Sequence, residues 1–464
     1  MRFQTHLHPA DDGRAIPSLP ITRILRGGLA LAGAACLLTS VAGRAADWAR
    51  FRGPNGSGVA PDAKPPATWS ETQNVRWKTE LPGPGTSSPI VVGERIFVTC
   101  YSGYGDLRGG GDVQKLQRHL VCVQRADGKI AWSAAVPAVQ PEDGYSGFLM
   151  EHGYASHTPA SDGERVYVFF GKSGAAAFDL TGAKLWQTSL GTASNRKNWG
   201  SAGSPILYRD FVIINAAEES HALVALEKKT GRIAWKAEGA GLENSFGTPV
   251  LVESEGRTDL VFSLPGELWG LNPDTGKLRW FVETGLPGNI APSVVAGDGV
   301  VYACGGFPRL GALAVRTGGK GDVTKTHLVW SGSSSTYVPT PVLHEGRLYF
   351  VSDGGFATCL DAKTGDAIFK ERLPGASATG RGGKPFYASA VLADGLVHAV
   401  SRQNGTFVFA AKPEFQLVAQ NRIAGDDSQF NATPAIADRQ LFLRSNRALY
   451  CLEAAPSVSA EKSK

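Results

Sequence analysis

Histidine is scarce, at 9 of 464 residues, cysteine is scarcer, at 6, and neither forms a ligand pattern. Beyond His6 and His8 in the first 45 residues, only His152 and His157 stand close together, and there is no His-Glu-x-x-His, Cys-x-x-Cys or calcium-loop spacing, so no structural metal is indicated. Charge is thin as well, at 19% of residues and a net +5, with no run of one sign. Five arginines against Asp11 and Asp12 place +3 of that charge in the first 45 residues. The rest is almost balanced and gives no reason to expect nucleic acid as a partner. A Gly-x-Ser-x-Gly elbow is missing, and Gly171-Lys172-Ser173 has Val166 where a phosphate loop needs glycine.

The apolar stretch Gly27 to Gly43 is too short for a typical membrane span, follows Arg23 and Arg26, and leads to the small residues Ala45 and Ala46. These features predict a cleavable signal peptide over 1–45, a mature chain starting near Asp47-Trp48 with no membrane span, and a periplasmic or secreted destination. Gly33-Ala34-Ala35 before Cys36 lacks the aliphatic residue of a lipoprotein box, which disfavours lipidation.

The 57 glycines and 27 prolines are spread along the chain, the profile of a turn-rich β protein. The chain is too long for one compact core and must divide or repeat. It repeats. A small residue, usually followed by Pro and a β-branched strand, recurs eight times: Ser88-Pro89, Thr158-Pro159, Ser204-Pro205, Thr248-Pro249, Ala291-Pro292, Thr340-Pro341, Ser389-Ala390 and Thr433-Pro434. Most of the spacings are those of one four-stranded propeller blade. A second marker is a hairpin glycine four residues before an aromatic: Gly128 and Trp132, Gly182 and Trp186, Gly231 and Trp235, Gly276 and Trp280, Gly365 and Phe369. These rings are expected to pack between neighbouring blades.

The last unit, Thr433 to Leu452, has room for three strands, and Asn74 to Leu81, with Trp77, reads as a lone fourth strand. Pairing the two closes a ring and hides its edges. The expected architecture is an all-β, eight-bladed propeller of four-stranded antiparallel blades over 74–454, preceded by an extension at 46–73 and followed by a disordered tail at 455–464.

The Asp/Asn-x-x-Thr-Gly-x-x-x-Trp units resemble pyrroloquinoline-quinone (PQQ) repeats, as in quinoprotein dehydrogenases and the BamB-type outer-membrane assembly protein. With Trp48-Ala49-Arg50-Phe51-Arg52-Gly53-Pro54-Asn55-Gly56 and Asp361-Ala362-Lys363-Thr364-Gly365, the chain is similar to secreted PQQ-like propellers of planctomycetes and verrucomicrobia. The resemblance covers about 47–454 and is specific for fold rather than activity. It implies either a binding scaffold or an enzyme using PQQ with calcium. Quinoprotein alcohol dehydrogenases carry adjacent cysteines and an Asp base shortly after a Trp. This chain has no adjacent cysteines and no Trp-Asp dipeptide, so no catalytic residue carries over.

Cys122, Cys359 and Cys451 share one third-strand slot that Ala225 and Gly270 fill elsewhere, which marks a small packing position. Export would permit a Cys100–Cys122 bond within one blade.

Loop lengths separate the two faces. Turns between first and second strands, and the Thr-Gly hairpins, are short and share one face. The links between blades and the second-to-third loops are long and share the other, where a ligand site is expected over the central channel. These loops hold Glu151, His152, Tyr154, Arg196, Trp199 and Arg381, beside Asn195, Lys197 and Lys384. Lys172, Arg309, Arg402 and Arg444 occur at equivalent second-to-third loops and would form part of a basic ring suited to an anion, unless Glu218, Glu219, Asp353, Asp426 and Asp427 balance them. Glu151-His152 beside Tyr154 is the best acid/base candidate. The leading expectation is a monomeric, non-catalytic module binding an envelope protein or an anionic small molecule or polymer. A PQQ-dependent alcohol or sugar dehydrogenase is the alternative, with hydrolysis of a polysaccharide or ester a minor third.

Overall fold

The computed structural model describes residues 47–105, 110–377 and 383–454. The expected leader, the tail at 455–464 and Arg381 lie outside the described residues. Eight sheets form, each on four antiparallel strands. Blade 1 is typical: Ile90–Val92, Arg95–Ser102, Gln117–Gln124 and Ile130–Pro137 pair in sequence order. Inner strands are apolar on both faces because neighbouring blades cover both, whereas an outer strand such as Leu417–Asn421 alternates. No helix among the described residues is long and apolar enough to cross a membrane.

The ring closes as the sequence implies. Val75–Glu80 pairs antiparallel with Ala448–Glu453, placing Trp77 opposite Cys451. Trp77 then does what each hairpin tryptophan does one blade further on. Its indole lies where a Cβ on Gly128 would stand, 2.7 Å away, and its Nε1 donates to the Arg125 carbonyl at 2.9 Å. The same docking joins Trp132 to Leu180 O, Trp186 to Lys228 O, Trp235 to Pro273 O and Trp330 to Ala362 O. Each hairpin glycine, at positive φ, makes room for the preceding blade's ring. Trp280 breaks the pattern and bonds Asp259 of its own blade at 2.8 Å. The reason is an insertion in the next blade's hairpin, where Gly321–Asp322 adds a parallel strand to blade 4 instead.

The small third-strand slot faces these rings. Cys122, Ala225, Gly270 and Cys359 stand opposite Trp132, Trp235, Trp280 and Phe369. A Cβ on Gly270 would come within 2.0 Å of Trp280. Cys100 and Cys122 are both unbonded. Cys122 stands opposite Phe97, three residues from Cys100 on the neighbouring strand, so the two thiols point to opposite faces of blade 1.

The recurring small residue builds the axis. The amide of Ser88 donates to Thr158 Oγ1, that of Thr158 to Ser204 Oγ, that of Ser204 to Thr248 Oγ1, and that of Thr248 to Ser293 Oγ. The circuit continues from Ser293 to Thr340, Ser389 and Thr433. Seven blade junctions are thus tied by bonds of 2.9 to 3.0 Å. Blade 5 corrects the sequence reading, since Ser293, not Ala291, holds the ring position. At the remaining junction Arg444 of blade 8 donates to the carbonyl and hydroxyl of Ser87.

The extension, described from Asp47 on, packs into this ring. Trp48 bridges to Val91 of blade 1, and Val59–Ala60 adds a parallel strand to Leu392–Ala393 of blade 7. Between them Arg50 and Asn55 bond carbonyls of blade 4, while Arg52 bonds carbonyls of blades 6 and 7. Replacing Trp77 by alanine should cost about 3–5 kcal/mol, the range for a buried large-to-small aromatic change. Urea unfolding checks this, and a loss under about 1 kcal/mol would mean the closing strand does not hold the ring.

Candidate functional site

Above the hydroxyl ring, the links between blades form a funnel of about 160 Å³ on the long-loop face. A second tier stands two residues before each ring position: Thr86, Ser156, Ala202, Phe246, Ala291, Val338, Tyr387 and Asn431. Aromatic side chains dominate the walls. Phe148 packs 5.0 Å from Trp199 and 5.9 Å from Tyr387, and Trp199 lies 6.3 Å from Phe246. Phe51, from the threaded extension, forms part of the lining beside the hydroxyl ring.

One link arches over the opening. The single helical turn Leu149–His152, between blades 1 and 2, reaches blade 7, where Arg402 donates to Glu151. Asn431 Nδ2 donates to the Glu151 carbonyl at 3.0 Å. Arg402 also lies over the Tyr387 ring at 4.5 Å. His152 is engaged through both nitrogens, Nδ1 with Ser156 Oγ at 2.5 Å and Nε2 with the Trp199 carbonyl at 2.7 Å. Since a carbonyl only accepts, Nε2 carries the proton, and burial pulls the imidazole below its ordinary pKa. Glu151 and His152 therefore help to fix the arch.

The predicted basic ring does not assemble as four free cations. Lys172 is buried and paired with Asp143 at 2.9 Å. Arg402 is paired with Glu151, and Arg444 is sealed between blades 8 and 1. Arg309 and Arg196 are exposed on loops that also carry Phe307 and Trp199. Local carboxylates and carbonyls compete for each cation more effectively than a distant common axis does. Tyr154 is also structural: it is buried among Tyr101, Tyr104 and Tyr145, and its hydroxyl donates to the Asp143 carbonyl at 2.7 Å. Trp199 does line the funnel, with Lys197 Nζ 4.3 Å from its ring centroid.

Behind the wall formed by His152 and Gly200 lies a smaller polar cavity that the sequence did not announce. Arg118 pairs with Glu142 there at 2.5 Å, both side chains buried. Glu218 and Glu219 occupy one helical turn, and burial raises them to about 7 and about 8. Ser201 donates to Glu219, and His157, which burial lowers to about 3, contacts Ser201 Oγ at 3.0 Å. These residues come from distant loops and share no motif, so no local pattern could have gathered them.

The comparisons agree on architecture. A family model described as outer membrane protein assembly factor BamB matches residues 66–199 and 117–371. The chain is 27% identical over 247 residues to the outer membrane protein assembly factor BamB of Yersinia pestis, covering 47% of this chain and 58% of that protein. It therefore spans less than two thirds of that relative. Among solved structures, BamB from Moraxella catarrhalis gives a TM-score of 0.54 at 12% identity, covering 81% of this chain and 98% of that one. Quinohemoprotein alcohol dehydrogenase from Comamonas testosteroni gives 0.55 at 11% identity, covering 88% and 80%. At these identities the structures speak for the fold alone.

Glu219 sets a pH dependence of stability. Its carboxyl stays protonated to about 8 in the folded chain, against an ordinary 4.5. The folded state thus holds the extra proton between those values, and stability falls as pH rises through that window. Glu219→Gln should raise the melting temperature more at pH 8 than at pH 5. An equal change at both pH values would contradict the assignment.

Proposed function

Because the chain belongs to the family of the outer membrane protein assembly factor BamB, we propose that it is an exported, non-catalytic binding module. Its long-loop face receives a protein of the cell envelope, with a segment of that partner entering the axial funnel. One observation carries the reading: an aromatic-walled recess sits over the ring axis, bounded by the arch that Glu151 and His152 help to hold. Concave sites that set aromatic walls over converging polar groups are binding sites in general, and aromatic residues dominate binding energy. Arg196 and Arg309, exposed on long loops, are the proposed rim contacts.

The same walls would accept a planar quinone, which is what favours the dehydrogenase alternative. PQQ bound with calcium needs cations for its carboxylates and oxygen ligands for the metal. Arg402 is committed to Glu151 and leaves Arg50 and Arg52 for the carboxylates, but among the described residues no group of three His, Cys, Asp or Glu is placed to hold the metal. That donor set weighs against PQQ with calcium.

A photo-crosslinking side chain placed at Trp199 should capture one defined envelope protein in extract. The same group at Asp162, on the short-loop face, should not. Equal capture at both positions would remove the assigned face. Incubation with PQQ and Ca²⁺ should give no dye-linked oxidation of alcohols or sugars, and a sustained rate would favour the dehydrogenase.

A further inference from the structure

The funnel floor has an electrostatic character that its lining alone does not reveal. Arg52 is completely buried and donates five hydrogen bonds, to the carbonyls of Gly56, Ser57, Thr340, Pro341 and Ala390. Every acceptor is a neutral peptide group. Arg50, partly exposed, donates to the Pro249 carbonyl at 3.3 Å, while its Nε is enclosed without a partner. No carboxylate among the described residues pairs with either arginine. Burial lowers Arg52 to about 9 and Arg50 to about 10, so both keep their charge at neutral pH. A buried charge normally finds a counter-ion, and Arg52 has only dipoles.

Their position matters. Thr340 is a member of the hydroxyl ring, and Pro249, Pro341 and Ala390 each follow a ring residue directly, so the guanidinium groups are bonded to backbone beside the ring. Seven ring hydroxyls accept an amide proton from the preceding blade. Each still has its own proton to donate. Ser88, Thr158, Ser204, Thr248, Ser293, Thr340, Ser389 and Thr433 all line the funnel, beneath Phe148, Trp199, Phe246 and Tyr387.

We propose that this floor is a receptor for a carboxylate carried on an aromatic or apolar body, with the anion on the hydroxyl ring and in the field of Arg50 and Arg52. The inference rests on the funnel being a binding site and adds the chemistry of its occupant. Two sources carry this chemistry, a free small acid and the C-terminal end of a polypeptide.

The test is calorimetric titration of the purified chain with phenylacetate and its uncharged amide, phenylacetamide, which have nearly the same shape. The acid should bind at least tenfold more tightly, and Arg52→Gln should abolish the difference. Because Arg52→Gln could fail to fold, Arg50→Gln and the acid/amide comparison on the unaltered chain stand independently; Arg50→Gln should narrow the gap. Equal affinity of acid and amide, or no binding of either, overturns the proposal. A short peptide ending in phenylalanine, with free or amidated terminus, forms the second arm. Displacement of phenylacetate by the free terminus only assigns the polypeptide source, and its failure to displace assigns the free acid. Acid binding without a crosslinked envelope partner would sink the protein-docking reading while leaving the receptor intact.

Discussion

The bond between one blade's backbone amide and the next blade's hydroxyl is the constraint on which this molecule is organised. A four-stranded blade cannot bury both faces alone, so stacking is obligatory, but hydrophobic stacking has no intrinsic register. The amide–hydroxyl bonds supply it near the axis, and the tryptophan-to-carbonyl bonds supply it further out. Four junctions, those from blades 1 to 2, 2 to 3, 3 to 4 and 5 to 6, are therefore fixed at two radii. The seam between blades 8 and 1 uses different means, the Trp77 strand and Arg444, because there chain continuity does not help.

The same constraint makes a site. Bringing eight small polar residues to one radius leaves an opening, and the links that follow the outer strands must all return to it from one side. Long links there converge whether or not their sequences resemble one another. The arch residues show the result: Glu151, from the link between blades 1 and 2, meets Arg402 from blade 7, 251 residues away. The extension then enters the ring and places Phe51 and Arg52 against its inner strands, converting a pore into a recess with a positive base.

What was legible in the sequence was whatever recurs. Blade number, ring closure by Trp77 and the small slot opposite each tryptophan all follow from periodic local choices, each repeated often enough to outweigh one irregular unit. Ala291-Pro292 misleads by two residues because proline marks most blade starts but is not what the ring requires; the hydroxyl of Ser293 is. The site was legible only as a face. Lys172, Arg402 and Arg444 occur at equivalent places in the repeat, yet each is claimed by a neighbour that belongs to no repeat, Asp143, Glu151 and Ser87. Arg52 stood in the segment that carries the family resemblance, yet nothing marked its role, since its five acceptors are backbone carbonyls, which sequence does not distinguish.

Amide hydrogen exchange resolved at Ser88, Thr158, Ser204, Thr248, Ser293, Thr340 and Ser389 addresses the ring directly. If the blades are held by these bonds, the seven amides exchange slowly and at similar rates, like the buried inner strands beside them. Exchange at any of these junctions as fast as in an exposed loop would show that the ring is not the element that fixes the blades, and the recess built upon it would lose its basis.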